Sequence, residues 1–77
     1  MEPKDVLPEL VKGSGRSMRT ISVQMDRTSN YLAAVVQRKS IPKYDTMAEI
    51  ADVCGYDLLL RRRDDGTEII IDPPRKE

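Results

Sequence analysis

Residues 17–38 read Ser-Met-Arg-Thr-Ile-Ser-Val-Gln-Met-Asp-Arg-Thr-Ser-Asn-Tyr-Leu-Ala-Ala-Val-Val-Gln-Arg, and their pattern decides the fold. Ser17 is placed to cap a helix whose Ile21, Ser22 and Met25 share one face. The apolar period breaks at Asp26-Arg27. Thr28 is placed to cap a second helix in which Leu32, Val35 and Val36 again fall together. The spacing predicts two short helices, over 18–25 and 29–38, joined by a tight turn. The second starts with small and polar groups, Ser29, Asn30 and Tyr31, and packs by its later turns. Hydrogen-bonding groups at the open start of such a helix suit entry into a DNA major groove. The plainer alternative is an ordinary helical hairpin in a small all-α domain.

Working outward, Asp5 is placed to cap a first helix over 5–12, with Pro8 in its first turn and Leu7, Leu10 and Val11 inward. Gly13 reads as its stop, and Ser14-Gly15-Arg16 as a linker. After the second short helix, Arg38-Lys39-Ser40-Ile41-Pro42-Lys43 is a basic loop, in which Pro42 keeps Ile41 out of helical geometry. A further helix is predicted over 45–54, with Met47, Ile50 and Ala51 on one face and Gly55 as terminator.

From Tyr56 the period becomes extended. Strands over 58–63 and 67–72 flank Asp64-Asp65-Gly66, a hairpin signal. A two-residue Asp65-Gly66 turn pairs Arg63 with Glu68, Arg62 with Ile69 and Leu60 with Ile71. One face then carries Leu58, Leu60, Ile69 and Ile71 and covers the helices. The other carries Leu59, Arg61, Arg63, Glu68 and Ile70. The run Arg61-Arg62-Arg63 faces Glu68 and reads as a solvated hairpin edge. The expected organisation is one domain over 1–77: a helical core over 5–55, a hairpin over 56–72, and a frayed tail over 73–77 after Pro73-Pro74.

Composition sets bounds. The chain has 77 residues, 39% of them hydrophobic and none Trp or Phe, so the core is modest and aliphatic and association would enlarge it. No apolar run reaches the length of a membrane span, the start Met-Glu-Pro-Lys-Asp lacks a signal-peptide pattern, and one cysteine cannot staple a fold. A cytoplasmic location without membrane association is therefore expected, with Cys54 a small core residue. The formal net charge is zero, yet the charges are segregated. Residues 1–43 hold eight Lys/Arg against four acids, residues 44–60 hold four acids and no base, and residues 61–77 balance five against five. The two short helices lie in the basic part.

Catalytic chemistry finds little footing. With no histidine there is no imidazole base, and one cysteine without histidine excludes the usual zinc sets. Ser40-Ile41-Pro42-Lys43 matches a bare Ser-x-x-Lys pattern by chance in so short a chain. No glycine-rich phosphate loop is present. No catalytic residue, cofactor or metal is expected, and the chain does not read as an enzyme.

Together these features resemble the phage Cro and lambda-repressor-like helix-turn-helix DNA-binding family, of XRE type, over about residues 5–58. The positions that carry the resemblance are Ile21, Ser22, Met25, Leu32, Val35, Pro42, the Met47-Ile50-Ala51 helix and Gly55. The chain departs from the family pattern at Asp26, where Gly is usual, and at Arg27, where an apolar residue is usual. It departs again at Arg38 or Lys39, where Gly commonly ends the third helix, and at Met18, where Gln is frequent. The resemblance implies a mainly α, four-helix lambda-repressor-like domain with a C-terminal β-hairpin. Its function would be to bind double-stranded DNA as a transcriptional regulator of phage or mobile-element type.

Carried over by position, the resemblance puts Ser29, Asn30, Ala33 and Ala34 against base edges. Arg27, Thr28, Tyr31, Gln37, Arg38 and Lys39 fall along the same interface, with phosphates as targets for most, and Arg16 and Arg19 approach from the other side. It also implies a homodimer built by the hairpin, for which Leu59 and Ile70 are the candidate contacts. An antitoxin-type autorepressor is an alternative within DNA binding. A different class of alternative is a protein-binding module on the same scaffold, such as a phage inhibitor of a host defence complex.

Overall fold

Ser17 adopts extended backbone geometry and its side chain accepts the Thr20 N–H at 3.1 Å, which starts helix α2 (Met18–Gln24) where a serine cap should start it. In the computed structural model, which describes residues 1–39 and 41–74, α2 is one of four helices. The others are α1 (Val6–Ser14), α3 (Tyr31–Gln37) and α4 (Tyr44–Val53). An antiparallel hairpin of β1 (Leu58–Arg61) and β2 (Glu68–Ile71) follows. The expected architecture of four helices and a hairpin is therefore present. Ser40 and the tail residues 75–77 lie outside the described residues.

The core is the aliphatic set the helical period selects. Leu7, Leu10, Ile21, Met25, Leu32, Val35, Ile50, Ala51 and Cys54 form one buried cluster. Burial pushes the Cys54 thiol up from its ordinary pKa, and the Arg16 guanidinium offsets this in part. Such a thiol stays protonated and behaves as a small apolar group.

Three helix ends differ from expectation, each for a local reason. Asp5 does not cap α1. It belongs to a short 3-10 turn (Pro3–Asp5), has helical backbone angles and makes no capping bond. Gly13 does not end α1 either. The helix runs to Ser14 and stops at Gly15, which takes the left-handed φ of +71°. Gly13 sits within α1 because the Tyr56 ring packs over it, in space that a Cβ at position 13 would occupy. The third difference is at Thr28, whose side chain makes no bond to the start of α3; only its carbonyl does, accepting the Tyr31 N–H at 3.0 Å.

The cap of α3 comes from α2 instead. Ser22 is fully buried, donates its hydroxyl to the Met18 carbonyl at 2.7 Å, and accepts the Leu32 N–H at 3.0 Å. Between the two helices Asp26 is left-handed, with φ of +57°. The Arg27 N–H returns to the Ser22 carbonyl and the Asp26 N–H to the Val23 carbonyl, each at 3.0 Å. That bond pair is a Schellman closure with Asp where glycine is commonest.

The hairpin register is Leu58 with Ile71, Leu59 with Ile70, Leu60 with Ile69 and Arg61 with Glu68. It is displaced by two residues from the expected pairing. The cause is a four-residue loop over 63–66, closed by Arg62 N–H to Thr67 O at 2.8 Å and Gly66 N–H to Arg62 O at 3.0 Å. Asp65 braces it by accepting the Thr67 N–H at 3.0 Å, a bond that holds its carboxyl below the ordinary value. A shift of two leaves each side chain on its expected face. The expected cover over the helices does not form, however: Leu58 packs on the core, while Leu60 and Ile69 are 62% and 64% exposed. The hairpin meets the helical body near its base, through α4 and β1.

Ser22→Ala deletes the acceptor for a buried N–H, and urea unfolding should show a loss of about 1–3 kcal/mol. Thr28→Ala should stay within about 0.5 kcal/mol of the parent, as an exposed substitution without a partner does. Equal losses in the two variants would overturn this account of how α3 is capped.

Candidate nucleic-acid interface

Helix α3 buries Leu32 and Val35. Positions 30, 33, 34 and 37 fall on its other side by helical spacing. Asn30, Ala33 and Gln37 are exposed there, and Ala34 is half-buried at the edge. Asn30 stands at the start of the helix, where its carbonyl accepts the Ala34 N–H at 2.9 Å and its side chain makes no capping bond. Among the described residues, neither the Asn30 nor the Gln37 carboxamide has a hydrogen-bond partner. Each therefore retains its full donor and acceptor capacity.

The stripe is bordered by charge at its far end. Arg38 closes α3 in helical geometry, and Lys39 follows at φ of +54°. Both are exposed, as is Arg19 on α2. None of these three forms an ion pair with a described residue. At the near end Thr28 is exposed and Ser29 is half-buried in the turn.

Three of the anticipated contacts have internal work. The Arg27 guanidinium lies 4.8 Å from the centre of the Tyr31 ring and 3.8 Å from a Glu49 carboxylate oxygen. Tyr31 and Arg27 thereby join the start of α3 to α4. Arg16 donates from Nη1 to Gln24 Oε1 and to the Val53 carbonyl, both at 2.8 Å. A guanidinium on the last carbonyls of α4 is well placed against the helix dipole. Arg16 thus ties the ends of α2 and α4 together. The structure gathers Asn30, Ala33, Ala34, Gln37, Arg38 and Lys39 on α3 and its two flanks, and leaves Arg16 on a different task.

One neighbour of this surface was not legible in the sequence. Lys4 and Lys39 both line an open cavity of about 250 Å³ with Asp5, Pro8 and Val36. Lys4 also lies 3.4 Å from the Glu2 carboxylate. The two lysines are far apart along the chain, so no local motif announces their meeting.

Among the described residues, no group of three or more acidic, cysteine or histidine side chains could hold a metal ion. No helix there is long and apolar enough to cross a membrane. No protein-family model, no curated protein and no solved structure matches the chain.

Lys39 holds a conformation that costs an L-residue about 1–2 kcal/mol and glycine almost nothing. Lys39→Gly should therefore raise unfolding stability by about 1 kcal/mol, measured by urea titration, while deleting one cation from the surface. A stability equal to or below the parent would show that the lysine side chain repays its backbone strain within the fold.

Proposed function

We propose that the chain is a sequence-specific double-stranded DNA-binding regulator of the Cro and lambda-repressor-like kind. In this reading α2 and α3 form a helix-turn-helix, α3 enters the major groove, and two copies act together. The observation that carries the reading is the α3 surface: two carboxamides with no partner among the described residues flank two alanines, and Arg38 and Lys39, in no ion pair with those residues, stand at one end. Carboxamides and small apolar groups suit base edges, and loosely held cations suit phosphates. Arg19 approaches the backbone from α2. Arg16 and Arg27 serve the fold first, and Tyr31 carries the Arg27 side chain.

A second copy follows from the size of the site. One recognition helix reads only a few base pairs, and two such helices about 34 Å apart read successive major-groove faces. The hairpin is the proposed joint. It leaves Leu60, Ile69 and Ile70 more than half exposed, beside the half-buried Leu59. Its charges over 58–71 cancel, three arginines against Asp64, Asp65 and Glu68, so a second hairpin meets no net repulsion. Each large aliphatic side chain fully buried there would contribute roughly 1.5–3 kcal/mol.

A second reading, a module that docks on a protein, is favoured by one observation. Ile41 and Tyr44, near the end of α3, are 63% and 72% exposed. Salt separates the two readings, because phosphate contacts release counterions and apolar contacts do not.

Binding to duplex DNA should weaken steeply with salt, and Arg38→Ala or Lys39→Ala should each flatten the log–log slope by about one unit on every sequence. Titration of labelled duplexes at several salt concentrations measures this, and salt-independent binding would sink the DNA reading. For the joint, sedimentation should find a dimer in the parent and a monomer in Leu60→Glu with Ile69→Lys. These positions face each other across the strands, so the new charges pair within one hairpin. A dimer that survives both this change and Leu59→Glu with Ile70→Lys would place the contact outside the hairpin.

A further inference from the structure

Within the proposed reading, and resting on it, the composition of the α3 stripe narrows the DNA it would choose. The four positions 30, 33, 34 and 37 hold Asn, Ala, Ala and Gln. Guanine is read in the major groove chiefly by Arg or Lys at its O6 and N7, and cytosine by an acidic side chain at its N4. The stripe has neither. The nearest preceding cation, Arg27, is turned onto the Tyr31 ring and Glu49. Arg38 stands beyond Gln37 as the C-cap of α3, one turn past Ala34 at the very end of the stripe.

What the stripe does hold matches A·T pairs. Asn and Gln can each bond adenine bidentately through N6 and N7, and alanine methyls fit the thymine C5-methyl. Asn30 and Gln37 are exposed, and neither side-chain carboxamide bonds another described residue, so no internal side-chain bond must break before either engages a base. Seven residues of helix rise about 10.5 Å, close to three base-pair steps of about 3.4 Å each. Ala33 and Ala34 lie between, with methyl side chains that carry no hydrogen-bonding group and are small enough to let the backbone approach.

We infer that Asn30 and Gln37 are a pair of adenine readers about three base-pair steps apart, with Ala33 and Ala34 on intervening thymine methyls, so that each half-site is an A·T-rich core. Gln37 is then a specificity residue rather than a phosphate contact, and phosphate binding falls to Arg38, Lys39 and Arg19.

The test is selection of binding sites by the full chain from a random duplex library, followed by titration of the selected duplex and its single-base variants. The expected half-site has adenine at two positions about three steps apart. Replacing either by guanine should weaken binding roughly 5- to 150-fold. Asn30→Ala should erase the preference at one position and Gln37→Ala at the other, each leaving its partner position intact. Replacing thymine by uracil between them should weaken binding about fourfold, the worth of one buried methyl.

A selected core of G·C pairs would overturn the inference while leaving a DNA-binding chain. So would unchanged preferences in both variants. No enrichment and no binding to any duplex would overturn the proposed function itself, and the inference with it. Circular dichroism and urea unfolding of the two alanine variants, both at exposed positions, confirm that a lost preference is not a lost fold.

Discussion

A single buried hydroxyl fixes the relation between the two central helices. Ser22 has one proton to give and lone pairs to offer, and the fold uses both capacities, on the Met18 carbonyl and the Leu32 amide. Burying a hydroxyl costs free energy unless its bonds are replaced, and here they are. The bond to Leu32 sets where α3 begins, and the Asp26 turn sets how the chain reaches that point. With Leu32 and Val35 held against the core, the side of α3 bearing Asn30, Ala33 and Gln37 is left facing outward. The candidate interface is therefore a consequence of an inward contact made by another helix.

What was legible in the sequence was what local physics decides. The helical period selected Ile21, Ser22, Met25, Leu32, Val35, Ile50 and Ala51, but it missed the buried Ala48 and took in Val36 and Met47, which are half-buried. Ser17 marked the start of α2 because its own side chain reaches its own helix. Asp5, Gly13 and Thr28 misled for a common reason: at each, a partner distant in sequence or an alternative local turn supplies the function assigned to it. A 3-10 turn leads into α1, Tyr56 claims the space over Gly13, and Ser22 caps α3 in place of Thr28. The hairpin faces were legible because alternation survives a shift of two residues. The register was not, since the choice of loop depends on Asp65 bracing Thr67. Residue types on α3 were readable directly, but their freedom was not: Arg16 and Arg27 look as available in sequence as Arg38 does.

The balanced net charge illustrates the same point. Equal numbers of acids and bases do not imply an evenly neutral surface. Arg27, Arg61 and Arg62 each lie within 4 Å of a carboxylate oxygen, and Arg16 is bonded to a helix end. Among the described residues, the cations without such partners include Arg19, Arg38 and Lys39, all on or beside the two central helices. Electrostatic character at short range is set by which charges are already committed, and counting the chain overlooks it.

The ring of Tyr56 against Gly13 acts as the fulcrum of a lever. It packs the chain two residues before the hairpin onto the helical body at a place where no side chain intervenes. A strand rises about 3.4 Å per residue, so the run from 58 to 62 carries the loop about 17 Å from that contact. A tilt of about 10° at the base moves the far end by about 3 Å, nearly the ~3.4 Å rise of one base pair. In the proposed pair joined through hairpins, the separation of the two α3 helices would then be tuned at one glycine of α1. Under the proposed reading, a substitution at Gly13 changes the spacing between half-sites while leaving Asn30, Gln37, Leu60 and Ile69 themselves unaltered.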